Sequence, residues 1–247
     1  MPAVPAADGT GLSVAYLLGT SAGGTGAHVA LLASGCAARG AAVTVYGPAA
    51  TGQRFFGRNH HDREDFSPGS AEKSSRSWNS SAGARVRFVP VEIGDRPRPV
   101  RDLMAVLRLR RLLGAPSSGA AQAPEAAHQP GAAPASGMVP APGAVSEPGV
   151  VHAHGLRAGA AGALALALLP PGRRPALLVT VHNAPPDGRL ARLLHGGLER
   201  LAARRAAVVT CVSSDLTDRM RRLGARDAGR ALVPAPVRPA PPAPAVA

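Results

Sequence analysis

The feature of this sequence that most limits its fold is the alternation of short apolar runs with stretches of helical periodicity. The first example, LLGTSAGGTGAHVALLASGCAARGAAVTVYGP, occupies residues 17–48. An apolar run over 12–18 predicts a strand, and apolar residues at helical spacing follow from Ala27 until Gly40, a residue that suits a helix C-terminus. A second apolar run covers 43–46. This order predicts two parallel strands joined by a helix, with a right-handed crossover.

The same alternation continues along the chain. Further strands are predicted over 86–91, 150–153, 176–181, 207–212 and 231–233, and further helices over 100–113, 158–169, 190–205 and 214–223. Strands that alternate with helices predict an α/β fold, a Rossmann-like doubly wound parallel sheet with helices on both faces. Ligands of such sheets bind beyond the carboxyl ends of the strands, so the residues that follow each strand are the candidates for a site.

Segments of biased composition interrupt and flank this pattern. Residues 51–84 are polar, charged and rich in serine, and we expect them to form a long mobile loop. Residues 115–149 are a low-complexity insert of Ala, Pro, Gly and Ser, which we expect to be disordered. We expect disorder also in residues 1–11, and the proline-rich residues 238–247 are a tail or a truncated hinge. The predicted domain therefore covers 12–237.

Composition and charge bear on the partners and the compartment. The chain of 247 residues has a formal net charge of +13, but its arginines are spread along the sequence. Aromatic residues make up only 3%, which leaves no stacking platform for single strands, and we expect no nucleic-acid partner. Cys36 and Cys211 lie far apart in apolar contexts, which indicates buried thiols in a reducing compartment. We therefore expect a cytoplasmic protein.

The helix predicted over 100–113, within the sequence RDLMAVLRLRRLL, combines arginines with leucines. Such a helix can rest on an anionic membrane, which would place the protein at the inner face of the membrane as a peripheral protein. A solvated basic face above an apolar one explains the same pattern. The longest apolar run, 158–169, is too short to span a bilayer.

The glycine cluster before the first helix has two interpretations. It does not fit a dinucleotide fingerprint, because Val29 takes the position of the third glycine and the second strand does not end in an acidic residue. It does not fit a P-loop either, because Thr25 takes the position of the lysine. Gly23 and Gly24 nevertheless precede a helix N-terminus, where backbone N–H groups and the helix dipole favour a diphosphate. From this loop alone, a diphosphate cradle and a tight turn without a ligand both remain open.

The segments VVHAHG and LVTVHN place histidines at the ends of two predicted strands. His152 and His154 are two residues apart, so their side chains point to the same side of the strand. We expect His152 to be packed and His154 to reach the cleft, with His182 and Asn183 pointing into the same cleft. A third ligand at a recognisable spacing is absent from the sequence, so we expect no zinc or other metal site.

Four segments together resemble the N-terminal domain of family 4 retaining glycosyltransferases. They are GGTGAHVALLASGCAARGAAVTVYGP, VVHAHGLRAG, LVTVHN and VTCVSSDLTDRMRRLGA…LVPAPV. The resemblance covers most of 12–237 and implies one half of a GT-B fold, in which two Rossmann-like domains face each other across the active site. It implies that Gly23 and Gly24 approach the donor diphosphate. It also implies that His154, the candidate catalytic residue, contacts the transferred sugar near its anomeric centre.

The resemblance also assigns an acceptor side and the substrates. His182 and Asn183 match a strand-end segment that lines the acceptor side, and Ser213 and Ser214 lie at a further strand end that faces the interdomain cleft. The donor is implied to be a nucleotide-diphosphate sugar, with no further cofactor. The acceptor is implied to be a hydroxyl of a sugar, a lipid or another small molecule.

The resemblance does not extend to the C-terminal domain of the family, which holds most of the nucleotide-sugar through an E-x7-E carboxylate pair and basic residues. We therefore expect this chain to be a truncated glycosyltransferase, the acceptor-side domain, inactive until the missing donor-binding domain is supplied. This leaves open whether the chain alone is an enzyme. The alternative is a non-catalytic Rossmann-like binding or partner protein, whose glycines only form a turn.

Overall fold

The computed structural model describes residues 11–57, 76–79, 85–115, 148–182 and 187–231. Within these ranges the chain forms one eight-stranded sheet and six helices. The strands are β1 (Ser13–Leu18), β2 (Ala42–Gly47), β3 (Arg76–Asn79), β4 (Arg85–Pro90), β5 (Val150–His154), β6 (Ala176–Val181), β7 (Val208–Cys211) and β8 (Ala228–Arg230). The helices are α1 (Gly24–Ala38), α2 (Ala49–Phe56), α3 (Pro99–Leu113), α4 (Leu156–Ala167), α5 (Arg189–Arg205) and α6 (Ser214–Arg222).

The order of the strands across the sheet is β3-β4-β2-β1-β5-β6-β7-β8. The edge strand β3 runs antiparallel to β4, and the other neighbouring strands are parallel. The chain moves from β1 towards one edge and then returns to place β5 on the other side of β1. This reversal is the topological switch point of a doubly wound sheet, the place where such sheets bind ligands. The predicted fold class is therefore confirmed.

Alternate residues of β1 enter two different cores, because successive side chains of a strand point to opposite faces. Val14, Tyr16 and Leu18 pack into a cluster with buried residues of α1. Ala15 and Leu17 belong to a larger cluster that includes buried residues of α3, α4, α5 and α6. Helices thus cover both faces of the sheet, as the sequence predicts.

The range 51–84 was wrongly predicted to be a loop throughout, because it contains most of α2 and all of β3. Helix α2 is stabilised by tertiary contacts: Phe56 is buried, and its ring stacks on that of Phe88 in β4 with 5.3 Å between the centroids. The backbone N–H of Ala49 also donates to the Glu92 carboxylate at 3.0 Å. Residues 58–75 and 80–84 lie outside the described residues.

Other predicted boundaries shift by a few residues. The last strand lies at 228–230 instead of 231–233, where Ala228 is buried and pairs with Val209 of β7. Strand β5 extends one residue beyond its predicted end and includes His154. The predictions for residues 1–10, 116–147 and 232–247 fall outside the described residues and stay predictions.

Candidate functional site

A cavity of about 460 Å³ opens at the carboxyl ends of β1 and β5, at the switch point of the sheet. Its lining comes from the ends of β1, β5 and β6, from the segment between β4 and α3, from the first turn of α4, and from α5. Parallel strands bring their carboxyl ends to one edge, so loops that are distant in the sequence meet here. The position of the cavity agrees with the region that the sequence selects.

The glycine loop borders this cavity. Gly23 is the N-cap residue of α1 and Gly24 its first residue, and both are exposed. Their neighbours Ser21 and Thr25 line the cavity, whereas the two glycines do not. The Ser21 hydroxyl oxygen accepts a hydrogen bond from the backbone N–H of Gly26 at 3.0 Å, which fixes the loop against the start of the helix.

The glycines of this loop serve different purposes. A Cβ at Gly26 would overlap the ring of Phe55 in α2, so the packing of α1 against α2 requires this glycine. A Cβ at Gly23 or Gly24 would meet nothing within 4 Å. Neither of these glycines has a positive φ. Packing therefore does not explain Gly23 and Gly24, and the predicted approach of a ligand to their backbone stays a prediction.

A cluster of four histidines and Tyr16 lies behind the glycine loop. His154 is at its centre: its Nδ1 is 3.3 Å from Nε2 of His182. Its ring centroid lies 4.2 Å from that of His152, 5.8 Å from that of His28 and 6.1 Å from that of Tyr16. His154 and His182 both line the cavity, so the structure brings these two predicted site residues together.

His154 presents an unpartnered nitrogen at the cavity. The residue is only 3% exposed, and its Nε2 is buried without a hydrogen-bond partner among the described residues. The same holds for Nδ1 of His28 and for Nε2 of His195. Buried polar atoms in proteins almost always have a partner, so an orphaned one calls for a ligand or a water molecule. Of these residues, His154 and His195 line the cavity, and Nε2 of His195 lies 3.5 Å from the Glu199 carboxylate, so Nε2 of His154 is the candidate to bind a ligand hydroxyl.

The turn after β5 fixes the direction of this histidine. Gly155 has a φ of 85°, a left-handed conformation that favours glycine, and it turns the chain from β5 into α4. Its backbone N–H donates to the Thr180 carbonyl of β6 at 2.8 Å. His152, two residues earlier in β5, is bonded to the sheet through its Nε2, which lies 2.7 Å from the Thr180 hydroxyl. His152 is thus bonded to the sheet, whereas His154 lines the cavity.

The imidazoles of the cluster are neutral at pH 7. Burial lowers the pKa of His28 and His182, and it lowers the pKa of His152 to about 4. Burial also lowers the pKa of His154 to about 2, and the neighbouring imidazoles add to the shift. A neutral imidazole can donate through one nitrogen and accept through the other. The cluster can thus bind hydroxyl groups, but it does not supply positive charge to a phosphate.

Two arginines beside the cavity have different surroundings. Arg157 donates to the Gly94 carbonyl at 2.6 Å and forms an ion pair with Asp102 at 2.7 Å, which joins α4 to α3. Arg96 also lines the cavity, next to Asp95. Among the described residues, no group of three His, Cys, Asp or Glu side chains is arranged to hold a metal ion.

The remaining predicted site residues are not part of this arrangement. Asn183 lies outside the described residues. Ser213 is the N-cap residue of α6 and Ser214 its first residue, and neither lines the cavity. Strand β7, which precedes them, lies two strands away from β5, and neighbouring strands are about 4.8 Å apart. Their predicted role at an interdomain cleft stays a prediction.

Sequence reasoning missed His28 and His195. His28 lies four residues after Gly24, so both are on the same face of α1, and this spacing is the signal that could have indicated it. His195 lines the cavity from α5, and its Nε2 lies 3.5 Å from the buried Glu199 carboxylate. No strand end precedes His195, so the rule used for the other histidines could not find it.

The doubly wound sheet defines a Rossmann-like domain, and its cavity lies at the switch point, where sheets of this kind bind ligands. Residues 23–236 match the glycosyl transferase 4-like domain family, and the chain belongs to this family. This result confirms the family that the sequence motifs predict. A search of curated proteins finds no match for this chain. Among the described residues, no helix combines the length and apolar character that crossing a membrane requires.

Proposed function

We propose that this domain is the acceptor side of a retaining glycosyltransferase, which moves a sugar from a nucleotide-diphosphate donor to an acceptor hydroxyl. The observation that carries the proposal is the buried, unpartnered Nε2 of His154 at the switch-point cavity. Membership of the glycosyl transferase 4-like domain family supports the reaction class. The neutral imidazoles around His154 suit the recognition of sugar hydroxyls.

In this proposal His154 contacts the transferred sugar near its anomeric centre. Its pKa of about 2 keeps the imidazole neutral, so that Nε2 can hydrogen-bond to a hydroxyl without adding positive charge beside an anomeric carbon that becomes positive in the transition state. His182 orients the ring, because its Nε2 lies 3.3 Å from Nδ1 of His154. If one of these two nitrogens carries the proton, the other accepts, and the tautomers of the two residues are coupled.

The donor diphosphate is held at the glycine loop and by a second domain. The N-terminus of α1 carries partial positive charge, and Gly23 and Gly24 leave room for a phosphate to approach the backbone. The described cavity adds no net charge, because Arg157 is paired with Asp102 and the other two charged residues of the lining, Arg96 and Asp95, have opposite signs. The leaving diphosphate therefore needs cations from elsewhere, and the second Rossmann-like domain of the GT-B fold is their expected source.

The proposal is tested by measuring the release of nucleoside diphosphate from UDP-glucose and GDP-mannose in the presence of mixed sugar and lipid acceptors. We expect no release by this chain alone and measurable release once it is joined to a donor-binding domain from a family member. In the two-domain form, His154→Ala should lower kcat by about 100-fold, the size of effect seen when one transition-state hydrogen bond is removed. Robust transfer by the chain alone would contradict the need for a second domain.

The role of the glycine loop has its own matched pair of variants. Gly24 and Gly172 both have open space at the position of a Cβ and no positive φ, but Gly172 lies in a short 3-10 helix that precedes β6, on the side of the amino ends of the strands. We expect Gly24→Leu to raise the KM for the donor at least about tenfold, because the side chain would occupy the phosphate position. Gly172→Leu should leave the KM unchanged. Equal donor KM values for the two variants would favour a turn without a ligand and the non-catalytic alternative.

A further inference from the structure

Two helices beside the cavity expose large apolar side chains at equivalent positions. In both α3 and α5, the second, fifth and sixth residues are apolar and more exposed than a core residue should be. These six side chains, which we call the apolar rim, are Val100 (76% exposed), Leu103 (57%), Met104 (63%), Leu190 (70%), Leu193 (72%) and Leu194 (49%). An isolated exposed leucine is common, but a repeated group of this size indicates an interaction surface.

The apolar rim lies at the cavity edge of the sheet. Residues 94–97, one residue before the start of α3, line the cavity, and so do Ala191 and Leu194 in the first two turns of α5. Helix α4 packs against both α3 and α5, so it lies between them, and its own first turn also lines the cavity. The two halves of the rim thus flank the cavity from either side.

The core does not use these side chains. Helix α3 is held through other residues, with Ala105, Val106 and Leu109 buried. In α5, Leu198 and Leu201 of the second half pack against the core, whereas the leucines of the first half extend beyond it. Truncating the rim should therefore leave the fold intact, and its apolar character calls for a partner.

The charges on the two helices indicate the chemistry of that partner. Helix α3 carries four arginines and a single carboxylate, Asp102, which is paired with Arg157. Helix α5 carries five arginines and a single carboxylate, Glu199, which is buried and paired with Arg219. One arginine of α3 and two of α5 lie in the first two turns, beside the apolar rim, so the charge that the rim offers to a partner is positive.

We propose that the apolar rim docks this domain on an anionic membrane surface. The six apolar side chains enter the headgroup region, and arginines such as Arg101 and Arg192 contact lipid phosphates. A nucleic acid or an acidic soluble protein would match the charge but would not explain six exposed apolar side chains. The cation-bearing second domain proposed above could cover apolar side chains, but the arginines beside them would repel its cations. This inference goes beyond the proposed function and does not depend on it.

The test is cosedimentation of the full 247-residue chain with sucrose-loaded vesicles of POPC alone or of equimolar POPC and POPG. We expect binding to the anionic vesicles, weakened by salt, and little binding to POPC. The double variant Leu103→Ser/Leu193→Ser should lower the partition coefficient at least about tenfold, because each substitution removes the burial of a leucine. These two residues do not line the cavity.

A matched control uses Leu31→Ser/Leu164→Ser, because these leucines are 63% and 45% exposed but lie outside the rim. This control should bind like the wild-type chain. The variant Arg101→Gln/Arg192→Gln should also weaken binding and reduce its dependence on salt. Far-UV circular dichroism melts should be equal for all variants, because every substituted side chain is exposed.

Three outcomes would overturn the inference. They are a wild-type chain that does not bind anionic vesicles, equal losses for the rim variant and the leucine control, and a loss confined to the arginine variant. The last of these would indicate a purely electrostatic partner such as an acidic protein. Loss in both the rim and arginine variants, with the leucine control unaffected, supports the membrane surface.

Discussion

Lowering the pH from 7 to 4.5 is expected to reduce the free energy of unfolding by about 5 kcal/mol. The cause is the histidine cluster, where burial lowers the pKa of His152 to about 4 and that of His154 to about 2. In the unfolded chain both imidazoles return to an ordinary pKa of about 6.5 and take up protons as the pH falls. The unfolded state then binds more protons than the folded state, so acid favours unfolding.

The expected slope is about 1.4 kcal/mol per pH unit for each histidine that stays neutral in the fold, over the interval from about 6.5 down to its folded pKa. The lowered pKa values of His28 and His182 act in the same direction. Because single domains are stable by only about 5–15 kcal/mol, the loss is comparable with the whole stability. We therefore expect the domain to approach unfolding near pH 4.5.

Urea unfolding at pH 7, 6, 5 and 4.5 measures this dependence. The variant His152→Gln provides the control, because a glutamine amide can still hydrogen-bond to the Thr180 hydroxyl but does not titrate. This variant should lower the slope of the free energy of unfolding against pH by about 1.4 kcal/mol per pH unit, because one histidine fewer titrates. A wild-type stability that is constant between pH 7 and 5 would contradict the burial of neutral histidines.

Much of this fold can be predicted from the sequence, because each strand–helix–strand unit carries its own periodic signal. The elements that were missed lack such a signal and depend on tertiary contacts. Helix α2 has the sequence AATGQRFF, with a central glycine and large apolar residues only at its last two positions, and it is stabilised by the stacking of Phe56 on Phe88. Strand β3 has four residues and pairs only with β4 at the edge of the sheet. Neither contact is visible in a local pattern.

In the candidate site, too, some features follow from the sequence and others depend on tertiary packing. The meeting of His154 and His182 follows from topology, because β5 and β6 are neighbouring parallel strands and both histidines come at their carboxyl ends. The position of His28 depends on the rotation of α1 about its axis, which packing sets through the contact between Gly26 and Phe55. The spacing of residues in the sequence shows which of them share a face of α1, but it does not show which face turns towards the sheet. The strand-end rule also selects Ser213, yet β7 lies too far from the switch point for it to line the cavity.

The second large effect is expected at the ion pair that joins α5 to α6. The Glu199 side chain is fully buried, and both of its oxygens accept hydrogen bonds from Arg219 at 2.7 Å. The carboxylate in turn raises the pKa of Arg219 above its ordinary value. The two partners are unequal, because the Arg219 side chain is 39% exposed. Water can therefore take over the bonds of the arginine but not those of the carboxylate.

This inequality predicts an asymmetric pair of variants. Arg219→Met leaves a buried charge whose one remaining ion-pair partner among the described residues is His195, 3.5 Å away, and it should lower the free energy of unfolding by about 3–5 kcal/mol. Glu199→Leu leaves a cation that can reach solvent, and it should cost about 1–2 kcal/mol. The double variant Glu199→Leu/Arg219→Met should recover most of the loss caused by Arg219→Met, because replacing a buried pair with apolar residues is often neutral. Urea unfolding at pH 7 measures all three, and a double variant no more stable than Arg219→Met would show that the loss does not come from a stranded carboxylate.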